Sequence, residues 1–128
     1  MTYLLIDTDI LIDVTNDDET AKNRLAAESQ NYILCISIVT VMELVIGCRN
    51  KAEQQALNKF TAQFEIKHLS ESISARTAEL IETYALSHGL LIPDALIGAT
   101  ALSHNIGLLS KNQRDYRFIP DLNLFEYP

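Results

Sequence analysis

The fold is decided by residues 3–14, which read YLLIDTDILIDV. Tyr3 to Ile6 form an unbroken apolar run, which is typical of a parallel strand covered on both faces. Thr8 to Val14 has the character of a helix, and Asp7 stands at the junction. A strand that passes directly into a helix predicts an α/β unit with Asp7 at the carboxyl end of the strand.

The same alternation continues along the whole chain. Further strands are predicted at 32–36, 66–69, 106–109 and 122–125. Further helices are predicted at 17–28, 40–48, 51–64, 70–87 and 93–104, with Gly89 as a stop signal. This pattern predicts one α/β domain over residues 1–128, with a mostly parallel central sheet and a layer of helices on each face. Ligands of such folds bind beyond the carboxyl ends of the strands.

The bulk composition fits one soluble domain. The chain has 128 residues, of which 48% are hydrophobic and 21% charged. No apolar run approaches the roughly 20 residues of a membrane-spanning helix, and the N-terminus has no signal-peptide pattern. We therefore expect a cytoplasmic protein without membrane contact. Cys35 and Cys48 are expected to be reduced thiols, since zinc-type spacing is absent.

Four acidic residues stand where a ligand site would form. Asp7 and Asp115 follow predicted strands, and Asp94 opens the apolar helix after Pro93. Glu43 lies in the nearly all-apolar segment IVTVMELVIG, residues 38–47, so it is expected to be partly buried and in need of a partner. Each acid taken alone could also have a purely structural role: a helix cap, a charge in the first turn of a helix, a member of a buried ion pair or a solvated loop residue.

Together, the four acids predict a divalent-metal site. Clustered carboxylates repel one another strongly where the dielectric is low. A divalent cation between them removes that cost, and Mg²⁺ and Mn²⁺ prefer oxygen ligands. Such ions activate water and stabilise the leaving oxygen of a phosphodiester. The acids therefore indicate in-line phosphodiester hydrolysis.

Four segments carry a family resemblance. They are LLIDTDILID (4–13), TVMELVIG (40–47), IPDALIGATAL (92–102) and LLSKNQRDYRFI (108–119). In this order they resemble the motifs of the PIN-domain family, and most closely the VapC-type toxins of bacterial toxin–antitoxin modules.

The resemblance implies a PIN-like three-layer α/β/α fold, RNA cleavage, homodimerisation and inhibition by a cognate antitoxin. It also implies Mg²⁺ or Mn²⁺ bound by Asp7, Glu43, Asp94 and Asp115, with Ser110 and Asn112 lining the site. Two positions depart from the pattern. Asp9 stands where asparagine or serine is frequent and would add a fifth acid, and Tyr116 replaces the usual phenylalanine.

The net charge of −7 opposes nucleic-acid binding, because phosphate contacts require positive charge. Five of the ten basic residues nevertheless lie near the predicted acids in the sequence, and we assign them to RNA: Arg49, Lys51, Lys111, Arg114 and Arg117. The resemblance also implies that a basic antitoxin tail could place an arginine among the carboxylates.

Three other functions are weighed against this one. Asp7 and Asp9 after a strand also suggest a haloacid-dehalogenase-like phosphatase with Asp7 as nucleophile, although the chain is short and Ile10-Leu11 replaces the usual Gly-Thr or Gly-Val. A phosphorylation receiver is rejected, because no aspartate lies between Asp18 and Asp94. A catalytically silent PIN-type protein-binding module stays open, although it should have lost acids.

Overall fold

Each of the first three strands is followed by two helices in the computed structural model, which describes residues 1–128. The strands are β1 (Thr2–Ile6), β2 (Tyr32–Ser37), β3 (Glu65–Lys67), β4 (Gly107–Leu109) and β5 (Leu124–Phe125). The helices are α1 (Thr8–Thr15), α2 (Glu19–Glu28), α3 (Ile38–Ile46), α4 (Lys51–Thr61), α5 (Glu71–His88) and α6 (Ile92–His104). None of these helices has the length and apolar character needed to cross a membrane.

The five strands form one sheet in the order β3-β2-β1-β4-β5. Every neighbouring pair is parallel. β1 is central: Leu5 is opposite Cys35 of β2, and Ile6 is opposite Leu109 of β4. The predicted parallel α/β sheet is confirmed, and the carboxyl ends of β1 and β4 lie side by side.

Consecutive side chains of β1 enter two different cores. Leu5 packs in the core beneath α5 and α6. Leu4 and Ile6 pack in the core beneath the first four helices. All three are fully buried, which explains why the strand is apolar at every position rather than at alternate ones. The sheet is therefore the middle of three layers, as predicted.

Element boundaries differ from the predicted ones by one to three residues. The predicted helix start at Asp17 is wrong, because this residue has a left-handed backbone with φ of 65°. Asp18 then caps α2 by accepting a hydrogen bond from Ala21 N at 3.1 Å. The cap moves the start of α2 to Glu19.

The predicted helix over 40–48 is also displaced. Ser37 Oγ accepts a hydrogen bond from Val39 N at 3.0 Å, so α3 begins at Ile38 and ends at Ile46. Gly89 ends α5 with φ of 68°, as expected, and both cysteines are free thiols.

Candidate active site

The ends of β1 and β4 bring two distant segments together. Asp7 follows β1 and Ser110 follows β4. Asp7 N donates a hydrogen bond to Leu109 O at 2.9 Å, which continues the strand pairing by one step. The parallel register thus fixes these two side chains at the same edge of the sheet.

Asp7 is almost fully enclosed, with 4% of its surface exposed. Its Oδ1 accepts from Thr8 N at 2.8 Å, and its Oδ2 accepts from Ser110 Oγ at 2.8 Å. Asp7 is therefore the N-cap of α1 as well as a carboxylate at the ligand-binding edge. Burial, followed by the charge of Asp9, raises its pKa from 3.8 to about 7, although both hydrogen bonds lower it.

Glu43 reaches the site from α3 and is half-buried, as expected. Thr8 Oγ1 donates to Glu43 Oε1 at 2.7 Å and lies 2.9 Å from Thr40 Oγ1. Because Thr8 has one hydroxyl proton, which Glu43 accepts, the Thr40 hydroxyl donates to Thr8. This chain of two hydroxyls fixes the orientation of the glutamate.

Asp94 lies in the first turn of α6. Tyr116, which is fully buried, donates from its hydroxyl to Asp94 Oδ1 at 3.3 Å. Burial raises the pKa of Asp94, and the charges of Asp115, Glu43 and Asp9 raise it further. Asp94 therefore shares one electrostatic environment with those three carboxylates.

Asp115 ends a short 3₁₀ turn over Gln113–Asp115. The side-chain amide of Asn112 donates to its Oδ2. Asp9 lies in the first turn of α1 and accepts from Lys111 N at 3.3 Å. Its Oδ2 also lies 3.4 Å from Ser110 Oγ, whose one proton makes the shorter bond to Asp7. Burial raises the pKa of Asp9.

The five gathered acids share one further property: none forms an ion pair with a basic residue. They are Asp7, Asp9, Glu43, Asp94 and Asp115. Asp7, Glu43, Asp94 and Asp115 each accept a hydrogen bond from a neutral side chain, and Asp9 accepts one from the backbone N–H of Lys111. The arrangement orients the carboxylates and leaves their combined negative charge unbalanced.

A family model described as "PIN domain" matches residues 4–119. This chain belongs to the PIN-domain family.

Known proteins similar to this PIN domain are VapC ribonucleases and toxin–antitoxin complexes. Ribonuclease VapC10 of Mycobacterium tuberculosis is 30% identical over 85% of this chain and 82% of its own length. A toxin–antitoxin complex from Klebsiella pneumoniae contains a chain with 31% identity and a TM-score of 0.79, covering 96% of both chains. VapBC2 from Rickettsia felis, bound to a promoter DNA fragment, has 25% identity and a TM-score of 0.83 over 99% of this chain and 100% of its own. The family resemblance is thus confirmed, and the alternative of a haloacid-dehalogenase-like phosphatase is wrong.

The five basic residues assigned to RNA differ in their partners. Arg49 pairs with Glu53 at 2.7 Å, and Lys111 Nζ pairs with Asp13 at 2.8 Å, so neither positive charge is free. Lys51 begins α4, where its Nζ lies 3.4 Å from the amide oxygen of Gln54.

Arg114 and Arg117 have no ion pair. They line one cavity with Asp115. Of the five basic residues assigned to RNA, Lys51, Arg114 and Arg117 are therefore unneutralised, and the two arginines stand beside Asp115.

The hydroxyls of Thr8, Thr40 and Tyr116 were not predicted as site residues. Thr8 follows Asp7 directly, and the sequence indicated only that it stands at the start of a helix. The role of Thr40 depends on its contact with Thr8 of α1, and that of Tyr116 on its contact with α6; no local pattern shows either contact.

Proposed function

We propose that this PIN domain is a divalent-metal-dependent endoribonuclease and the toxin of a toxin–antitoxin pair. The observation that carries this proposal is the group of five acids without a basic partner at the carboxyl edge of the sheet. Folding such a group costs free energy, because burial and mutual repulsion raise the pKa values of Asp7 and Asp94. Residues that oppose stability in this way are typical of functional sites.

The donor set fits Mg²⁺ or Mn²⁺. All the gathered ligand atoms are oxygens, which hard divalent cations prefer. The chain has no group of three or more His, Cys, Asp or Glu side chains arranged to hold one ion by themselves. Mg²⁺ in proteins usually keeps several of its waters and takes one or two carboxylates directly, so the carboxylates suit a hydrated ion.

The proposed ligands are Asp7, Glu43, Asp94 and Asp115, with Asp9 as an accessory acid. Bound Mg²⁺ or Mn²⁺ would supply an activated water and stabilise the leaving oxygen of the cut phosphodiester. The protein's own contribution is orientation. Ser110 holds Asp7, Thr8 holds Glu43, and Asn112 holds Asp115. Neutral donors of this kind keep carboxylates ionised and in one orientation without competing with the cation for charge.

The names of the relatives support both RNA as substrate and an antitoxin as partner. A net charge of −7 suits a basic antitoxin segment, since the unbalanced carboxylates would attract an arginine or lysine from it.

We also propose a homodimer. Several large apolar side chains are exposed, as expected of a subunit interface. They are Met42, Ile46, Leu86, Leu91 and Ile92. Sedimentation at several protein concentrations would test this proposal, and a monomer throughout would contradict it.

The nuclease is tested with antitoxin-free protein, bulk transfer and ribosomal RNA, and Mg²⁺, Mn²⁺ or EDTA. Asp94→Asn is expected to lower cleavage at least a hundredfold, whereas the exposed Asp121→Asn, purified identically, should cleave as wild type does. Cleavage that requires metal and disappears only in the Asp94 variant supports the proposal. Equal behaviour of all three proteins would reject catalysis by this site and favour a silent binding module.

A further inference from the structure

A cavity of about 500 Å³ opens beside the carboxylates. Its lining consists of Ser87, His88, Arg114, Asp115, Arg117 and Phe118. Asp115 lines the cavity, and the next residue, Tyr116, donates a hydrogen bond to Asp94 Oδ1 at 3.3 Å, so the cavity adjoins the group of acids. A ligand in the cavity therefore lies next to the proposed reaction centre.

The charge of the cavity comes from two arginines without a partner. Arg114 and Arg117 are exposed and belong to none of the ion pairs of the chain. Both lie within two residues of Asp115, so the backbone that carries the acid also fixes their distance from it. In a protein with net charge −7, unpaired guanidinium groups at this place point to an anionic ligand. Their planar forks bind phosphate with two parallel hydrogen bonds.

Another part of the lining is ordered by aromatic stacking. The ring of His88 stacks on Phe118 with 4.1 Å between centroids and 23° between planes. Ser87 Oγ lies 2.7 Å from His88 Nδ1, and Tyr84 packs against Phe118 at 4.9 Å. The imidazole is therefore held in place, and its Nε2 is the ring nitrogen left for a ligand.

We propose that this cavity binds a phosphate of the RNA strand next to the bond that is cut. Arg114 and Arg117 provide the charge, and the fixed His88 ring provides a further hydrogen-bonding group. The inference rests on the proposed ribonuclease function and adds a substrate subsite to it. Phosphate contacts of this kind position a strand without reading its sequence.

The test measures binding apart from cleavage. A fluorescein-labelled single-stranded RNA is titrated by anisotropy with Asp94→Asn protein in Mg²⁺ at several salt concentrations. Adding Arg114→Ala or Arg117→Ala should weaken binding about tenfold each and reduce the slope of log K against log salt by about one. Arg117→Lys should restore part of the affinity, because it keeps the charge and loses the fork. His88→Ala should weaken binding severalfold.

Arg76→Ala is the matched control. It removes one exposed arginine from α5 at about 18 Å along the helix from His88. For cleavage kinetics the same substitutions are made in protein that keeps Asp94. There, Arg114→Ala and Arg117→Ala should raise KM more than they lower kcat, and Arg76→Ala should change neither. If wild type cleaves RNA and the Arg114 and Arg117 variants match Arg76→Ala, the subsite is refuted and the nuclease stands. If wild type neither cleaves nor binds RNA, the proposed function fails and the subsite with it.

Discussion

The hydroxyl of Ser110 donates a 2.8 Å hydrogen bond to Oδ2 of Asp7, although the two residues are 103 positions apart. Ser110 is the donor, because an ionised carboxylate has no proton to give, and the same hydroxyl oxygen accepts from Asn112 N at 2.9 Å. One serine thus ties the end of β4 to the end of β1. It also favours the ionised form of a carboxylate that burial would otherwise neutralise.

Ser110→Ala is expected to weaken metal binding. Without the donated proton the pKa of Asp7 rises further, so protons compete more strongly with the cation near neutral pH. We expect about a tenfold loss of Mn²⁺ affinity, as for other groups that orient metal ligands, measured from the electron paramagnetic resonance signal of free Mn²⁺. Ser74→Ala, at an exposed serine of α5, is the control, and equal affinities of the two variants would contradict the role of Ser110.

The stability of the metal-free protein should fall as the pH rises from about 4 to about 7. The pKa of Asp7 in the folded protein is about 7, against an ordinary value of 3.8. The folded state therefore binds this proton more tightly than the unfolded chain does. The stabilisation from this proton is fully present below the pKa of Asp7 in the unfolded chain. It is lost as the pH rises through the pKa of Asp7 in the folded protein.

Asp7→Asn isolates this effect, because an amide keeps the cap of α1 and does not ionise. In EDTA, wild type should lose unfolding free energy relative to Asp7→Asn across this pH range, as measured by urea denaturation. The loss should shrink when Mg²⁺ is added. Asp121→Asn, at an exposed aspartate, should follow wild type at every pH. A constant difference between wild type and Asp7→Asn would show that Asp7 does not titrate there.

Tyr116→Phe should weaken metal binding and leave the fold unchanged. The substitution keeps the buried ring and removes the hydroxyl that donates to Asp94. Since that bond lowers the pKa of Asp94, its loss should weaken Mg²⁺ binding about tenfold. The far-ultraviolet spectrum should not change. Calorimetric titration with Mg²⁺ would measure the affinity of this variant and of the control Tyr32→Phe. The same affinity in both would show that the Tyr116 hydroxyl has no role in metal binding.

The fold could be predicted because its signals are local and strong. Buried strands such as residues 3–6 are apolar at every position, and the alternation with helices leaves little choice of architecture. Boundaries were less predictable, because side-chain caps decide them. Asp18 rather than Asp17 caps α2, and that choice depends on a left-handed residue that no periodicity reveals.

The convergence of the acids at one edge of the sheet could be predicted for a similar reason. In a parallel sheet, residues that follow different strands meet at one edge, so Asp7 and the loop after β4 had to converge. The partners of the acids could not be predicted. Lys111 was expected to face RNA, yet its side chain pairs with Asp13. Tyr116 stood out only as a departure from the family pattern, and its hydrogen bond to Asp94 depends on tertiary packing.

Two glycines should respond to alanine in opposite directions. Gly98 lies one turn after Asp94 in α6. An added Cβ there would meet Ile119 Cδ1 at 3.4 Å, an ordinary contact, so close packing does not require glycine. Gly98→Ala should therefore raise the free energy of unfolding by about 1 kcal/mol through helix propensity.

Gly107 at the start of β4 is the contrasting case. A Cβ there would lie 2.6 Å from Phe125 Cε1 and 3.2 Å from Leu4 Cδ1, inside a packed core. Gly107→Ala should lower the free energy of unfolding by about 1–3 kcal/mol, because overpacking forces the aromatic ring to move. Urea denaturation of both variants in EDTA measures the two effects on one scale. Destabilisation by Gly98→Ala would mean that α6 packs on Ile119 more tightly than 3.4 Å implies.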